Sequence, residues 1–177
     1  SFSLKLAPNL GLDVTPGRFV FKKPRTFEES VATIHLIAKT VRDKKLIDKD
    51  APICVVADSL ASMVPQSALL DKNGKEKSAE DRNMNDNTAL ARATSAHMPS
   101  LAMIVEEYGI CMIFLNQVRT KLGGMYGDPR TTPGGEAPKF YASVRIMLGA
   151  SQIKKDKDII GSEVRASVIK NKVSRPF

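Results

Sequence analysis

The chain has 177 residues, 42% of them apolar, with 27 basic against 19 acidic side chains and a net charge of +8. That length and apolar share exclude a disordered tail and suit one domain with a core of its own, while the positive balance favours a polyanionic partner and says nothing of the fold. No apolar stretch approaches the ~20 residues of a membrane span and no signal peptide opens the sequence, so a soluble, cytoplasmic protein without a membrane partner is expected.

In chain order, the spacing of Leu4, Leu6, Leu10 and Leu12 predicts a short helix leading into a turn at Asn9 to Gly11. Phe19 to Phe21 reads as a short strand, followed by a turn at Lys22 to Arg25. Thr26 with Glu29 forms a capping-box pattern, and Phe27, Val31, Ile34, Ile37, Ala38 and Val41 make the core-facing stripe of a helix reaching about Lys45. A charged connection at Ile47 to Ala51 leads into a buried strand, Ile53 to Ala57, that ends at Asp58. Leu60 to Leu70 is helical or irregular around Pro65, and Asp71 to Asn87 is a polar, highly charged segment expected to be mobile. Thr88 to Tyr108 predicts a helix that Pro99 must break or kink near Ser95 to Met98, with Gly109 as its stop. Ile110 to Leu115 is an unbroken apolar run, as in a central strand covered on both faces. Lys139 to Leu148 is expected as a third sheet strand, Lys154 to Asp158 as a charged turn, and Glu163 to Ile169 as a strand with Val164, Ala166 and Val168 on one face. Interleaved strand and helix signals give an α/β class, with a mainly parallel central sheet flanked by helices and antiparallel strands at the C-terminal end. Cys54 and Cys111 fall inside the two apolar runs, so both thiols are expected to be buried, in a reducing compartment and without a disulfide. His35 and His97 have no partner at ligand spacing and receive no metal role.

The richest segment runs from Phe114 to Arg145, FLNQVRTKLGGMYGDPRTTPGGEAPKFYASVR. Gln117 emerges just past the carboxyl end of an apolar strand, where open α/β sheets receive their ligands. Arg119, Lys121, three glycines, Thr131, Thr132, Gly134 and Gly135 follow. Glycines let backbone amides approach phosphates, threonine hydroxyls donate to them, and cations supply the long-range attraction. Met125 and Tyr126 are able to wedge between bases or stack on them. Asp58 closes its own strand and Ser59 follows, oxygen donors of the kind Mg²⁺ prefers, although strand-end aspartates more often cap the next turn. Lys170 and Lys172, two apart in KNK, project from one strand face.

This segment resembles the second DNA-binding loop of the RecA family of recombinases, with the family's strand, NQxR turn, TTxGG core and KFYASVR exit in order. The similarity extends through IIGSEVRASVIKNKVSRPF at Ile159 to Phe177 and back through VVADS at Val55 to Ser59. It covers nearly the whole chain, 1–177, read as a single partial RecA-like ATPase core, a P-loop NTPase fold. It implies ATP and Mg²⁺ as cofactors, single-stranded DNA and homologous duplex DNA as partners, and a helical filament of identical subunits acting in recombination and repair. Asp58 would hold magnesium through water with Ser59 beside it, Gln117 would sense the γ-phosphate, and Lys170 and Lys172 would reach the nucleotide of the neighbouring subunit, a catalytic role. Phe140 would sit near the subunit contact. DNA contacts would fall to Arg92, Arg119, Lys121, Leu122, Gly123, Met125, Thr131, Thr132, Gly134, Gly135 and Glu136. The family's phosphate-binding loop, GxxxxGK[ST], and its catalytic glutamate have no counterpart here; the resemblance puts both upstream of Ser1, so these residues alone are expected not to turn over ATP. Departures include the longer first-loop region Asp71 to Asn87, Pro99 and Arg130 at positions where the family has other residues, and Leu6 where an adenine-stacking tyrosine is usual. A non-catalytic paralogue and a hexameric helicase-type motor remain as alternatives.

Overall fold

A computed structural model describes residues 3, 5–78, 80–81, 88–120, 130–155 and 157–175. Helix α1, Phe27–Asp43, starts where Thr26 Oγ1 accepts from the Glu29 amide at 3.0 Å; the Glu29 carboxylate reaches back to the Arg25 amide, one residue further than the expected capping box. The first turn is then fixed tertiarily, because the Phe27 amide donates to Val64 O and Glu28 accepts from the Gln66 amide. Phe27, Val31 and Ala38 are buried against helix α3, Ala89–Tyr108, whose own stripe of Ala93, Met98, Leu101 and Ile104 completes the core.

Of the break or kink expected at Pro99, the break does not occur: α3 continues through Pro99. Proline deprives the Ser95 carbonyl of its donor, but Ser95 and Pro99 lie on the exposed face, open to solvent, while Met98 and Leu101 stay buried, so the stripe holds the helix together. Gly109 ends it in the left-handed region at φ 61°.

Strands β1, Ile53–Ala57, and β2, Ile110–Phe114, pair in parallel with Ile53 opposite Ile110 and Ala57 opposite Phe114. Ile53, Val55, Ala57, Ile110, Met112 and Phe114 face the helices. The expectation of cover on both faces fails among the described residues: Cys54, Val56, Cys111 and Ile113 on the other face are exposed, the two thiols included. Between the strands, Leu60–Ser62 is a 3-10 turn and Gln66–Leu69 is the short helix α2, while the expected strand at Phe19 to Phe21 is irregular. The start of the segment expected to be mobile is a bonded turn, with the Asp71 carboxylate accepting from the Asn73 and Lys75 amides and Glu76 pairing with Arg25.

Two short strands, β3 at Arg119–Thr120 and β4 at Arg130–Thr131, pair antiparallel. The third sheet strand expected at Lys139 to Leu148 is a correction: Pro138 in the first turn favours helix, so Ala137–Tyr141 is α4, and β5 runs only from Val144 to Lys155. It pairs not with the parallel sheet but with β6, Asp158–Asn171, in a long hairpin. Register puts Ile146, Leu148 and Ala150 opposite Val168, Ala166 and Val164, an apolar face that is exposed throughout. The chain accordingly presents 13845 Å² of accessible surface, where a monomeric globule of 19.3 kDa presents roughly 8,500 Å². Its core is real but small for its length. No described helix is long and apolar enough to cross a membrane.

Candidate functional site

The carboxyl ends of β1 and β2 are locked together beyond the regular ladder: the Leu115 amide donates to Ala57 O at 3.0 Å and the Leu60 amide to Leu115 O at 2.9 Å. Asp58 and Ser59 sit in that closure, joined by a cis peptide. Ser62 Oγ accepts from the Ser59 amide at 3.3 Å and donates to the Ser59 carbonyl at 2.8 Å. Just past β2, Asn116 Oδ1 accepts from the Gln117 amide and Asn116 Nδ2 donates to Pro133 O, both at 2.9 Å. One amide side chain therefore joins the strand end to the far side of the cationic loop.

That far side is anchored again one residue later. Thr94 of α3, fully buried, donates from Oγ1 to Gly134 O at 2.6 Å. Gly134 is itself buried, and a Cβ there would meet Leu60 Cδ2 at 3.1 Å and Pro138 Cγ at 3.3 Å. Gly135, at φ +70°, lies so close to α3 that a Cβ would fall 2.8 Å from Ala91 Cβ. Arg92 follows Ala91 on the helix, exposed, with Nη1 donating to Thr88 Oγ1 at 2.7 Å beside a shallow groove lined by Thr88, Ala91, Ser95 and Ala96. The loop exit and Arg92 are thus neighbours on one helix face.

Downstream, Glu136 opens α4 and pairs with Lys139. Lys170, at the end of β6, donates to Lys139 O at 2.6 Å and Phe140 O at 2.8 Å, and Lys172 reaches Phe140 O at 3.4 Å while standing over the Phe140 ring. Both cations therefore serve the carbonyls at the C-terminal end of α4, where positive charge is favoured. Lost hydration, then the charges of Lys172 and Arg145, hold the Lys170 ammonium below the ordinary lysine value. Phe140 is 68% exposed and is not a core aromatic.

The RecA N-terminal domain family matches residues 3–177. The chain belongs to this family. It is 37% identical over 172 residues to Protein RecA of Ruminococcus albus, covering 97% of this chain and 38% of that protein. Against Protein RecA of Thermus aquaticus it is 33% identical over 173 residues, covering 97% of this chain and 45% of the relative. Protein RecA 1 of Myxococcus xanthus is 40% identical over 133 residues, 75% of this chain and 36% of its own length. The chain thus spans less than half the length of these RecA relatives.

Of the residues that the RecA resemblance marks, the structure brings Asp58, Ser59, Gln117, Thr131, Thr132, Gly134 and Gly135 to one hydrogen-bonded region, and Arg92 lies beside it. Arg119 and Thr131 pair across the root of the loop, Arg119 exposed and both threonines half-buried. Lys121, Leu122, Gly123 and Met125 lie outside the described residues. The close packing of Gly134 and Gly135 on Leu60 and α3 explains why glycine stands there. Sequence reasoning missed Thr94 and Asn116, which do the anchoring. The asparagine was in view within NQxR, whereas a threonine in a helical pattern carries no outward mark of a tertiary bond.

Proposed function

We propose that the chain is the central portion of a RecA-type recombinase, in which the segment between Arg119 and Thr131 takes the backbone of single-stranded DNA and the ends of β1 and β2 face a nucleotide. The observation that carries this reading is the hydrogen-bonded path from Leu60 through Leu115 and Asn116 to Pro133, which ties a strand-end acid and amide to the root of a cationic loop. A change at Gln117 has a short route to the DNA side. Arg92, Arg119 and Lys121 supply charge for phosphates, Thr131 and Thr132 supply hydroxyls, and Gly134, Gly135 and Glu136 shape the exit.

Asp58 and Ser59 offer an exposed carboxylate and a hydroxyl, a donor set that fits Mg²⁺ holding part of its water shell. The metal, with ATP, would supply charge neutralisation at phosphate oxygens. Lys170 and Lys172 would serve a neighbouring subunit's nucleotide in a head-to-tail filament, an open heterologous assembly; the large uncovered apolar surface is consistent with a chain that works inside something bigger.

Binding of labelled oligothymidylate across a salt series tests the reading. Affinity should fall steeply with salt, and Lys121→Ala should flatten the log–log slope by about 0.7; an unchanged slope removes Lys121 from the contacts, and no binding at all by the wild-type chain sinks the DNA reading. Gln117→Ala should spare nucleotide binding while uncoupling it from DNA affinity.

A further inference from the structure

We propose that Thr94 is a positioning residue for the loop: its sealed hydroxyl clamps the loop's C-terminal root to α3, and Asn116 clamps the preceding residue to the end of β2. This rests on the DNA-binding reading above. Only Ser30 and Thr94 are buried polar residues among those described, and Ser30 donates within its own helix to Thr26 O. A threonine hydroxyl has one proton to give, and in a helix it ordinarily returns it to a carbonyl one turn back. Here that carbonyl, Ala91 O, lies at 3.0 Å and Gly134 O at 2.6 Å, so the shorter, outward bond takes the proton. Valine would fill the same space, so packing alone does not call for the hydroxyl.

Asn116 Nδ2 takes the carbonyl of Pro133, immediately before Gly134. Two successive carbonyls held from two different elements fix the direction of the chain as well as its position, and Thr131 is held upstream by pairing with Arg119. Because Arg92 stands two residues before Thr94 on α3, the bond also fixes the offset between the exposed guanidinium and the loop root. A charged polymer with regular phosphate spacing is gripped at both points only if that offset is kept.

Trypsin cleavage and DNA binding together test the clamp. Thr94→Val should raise cleavage after Lys121 and Arg130 about fivefold, leave the rate after Lys154 and Lys155 at the hairpin tip unchanged, and weaken oligothymidylate binding about fivefold with the same salt slope, since no phosphate contact is removed. Thr94→Ser, which keeps the donor, should restore both. Wild-type loop cleavage in Thr94→Val, equal acceleration at the hairpin tip, or a changed salt slope would each overturn the proposal. Should the wild-type chain not bind DNA, the DNA reading fails, and the protease comparison still judges the clamp. Should Thr94→Val not fold, Asn116→Asp, an exposed change that keeps the acceptor for the Gln117 amide but turns the donor to Pro133 O into a charged acceptor, takes its place; loop-specific acceleration supports the clamp and wild-type rates overturn it.

Discussion

Replacing Gly135 with alanine should be among the most damaging single-carbon additions in the molecule, and its size follows from two separable effects. Gly135 is at φ +70°, where an L side chain costs about 1 kcal/mol. The new Cβ would also fall 2.8 Å from Ala91 Cβ and 3.4 Å from Ala91 Cα, on a helix backbone that cannot yield without repacking the core, which adds about 1–3 kcal/mol. The total is about 2–4 kcal/mol, or a fall in Tm of roughly 4–16 °C at the 2–4 °C per kcal/mol expected for this size. Ala91→Gly removes the obstructing carbon at a helix-propensity cost of up to about 1 kcal/mol. The double variant should therefore lose only the backbone strain and the propensity, about 2 kcal/mol, which leaves a coupling of about 1–3 kcal/mol in a urea-unfolding cycle. Effects that add to within about 0.5 kcal/mol would refute the contact, since independent sites behave that way.

Arg42 is a structural cation: its guanidinium donates to Tyr108 O, Asp48 O, Lys49 O and Ala51 O, joining the end of α3 to the connection before β1. Arg42→Lys cannot reproduce that fork and should destabilise by about 2–3 kcal/mol; a urea midpoint equal to wild type would contradict it. Lys170 should titrate below the ordinary lysine value when followed by NMR on ¹³C-methylated protein, and Lys172→Met should move it back up by removing a neighbouring charge; a wild-type Lys170 that titrates at the ordinary value defeats this. Because the unfolded chain holds more protons between the depressed value and the ordinary lysine range, Lys170 makes stability rise with pH across that alkaline window. Lys170→Met should flatten the rise.

Where local chemistry decides conformation, the sequence was readable. Thr26 and Glu29 marked the start of α1, Gly109 the stop of α3, and the apolar run Ile53 to Ala57 matched β1 residue for residue. Cover was not readable: an apolar strand announces that both faces want partners, not whether the same 177 residues provide them, and Cys54 and Cys111 stand open for that reason. Lys139 to Tyr141 alternates well enough for a strand, but Pro138 settled the local geometry as helix. At the site, Asp58 and Gln117 were visible because strand ends are predictable places. The directions of Lys170 and Lys172 were not, since which carbonyls a long flexible cation finds depends on where α4 ends.

The β5–β6 ribbon has a practical consequence. Strands of 12 and 14 residues pair only with each other among the described residues, so their outer amides and carbonyls are available to any passing strand. Lys154, Lys155 and Lys157 near the tip, with Arg165 on the polar side, deter such stacking by like-charge repulsion. Raising the ionic strength to 1 M shrinks the reach of that repulsion to about 3 Å. The salt washes routinely used to strip nucleic acid from basic proteins should thus drive this one to precipitate, and dilute buffers should keep it dispersed.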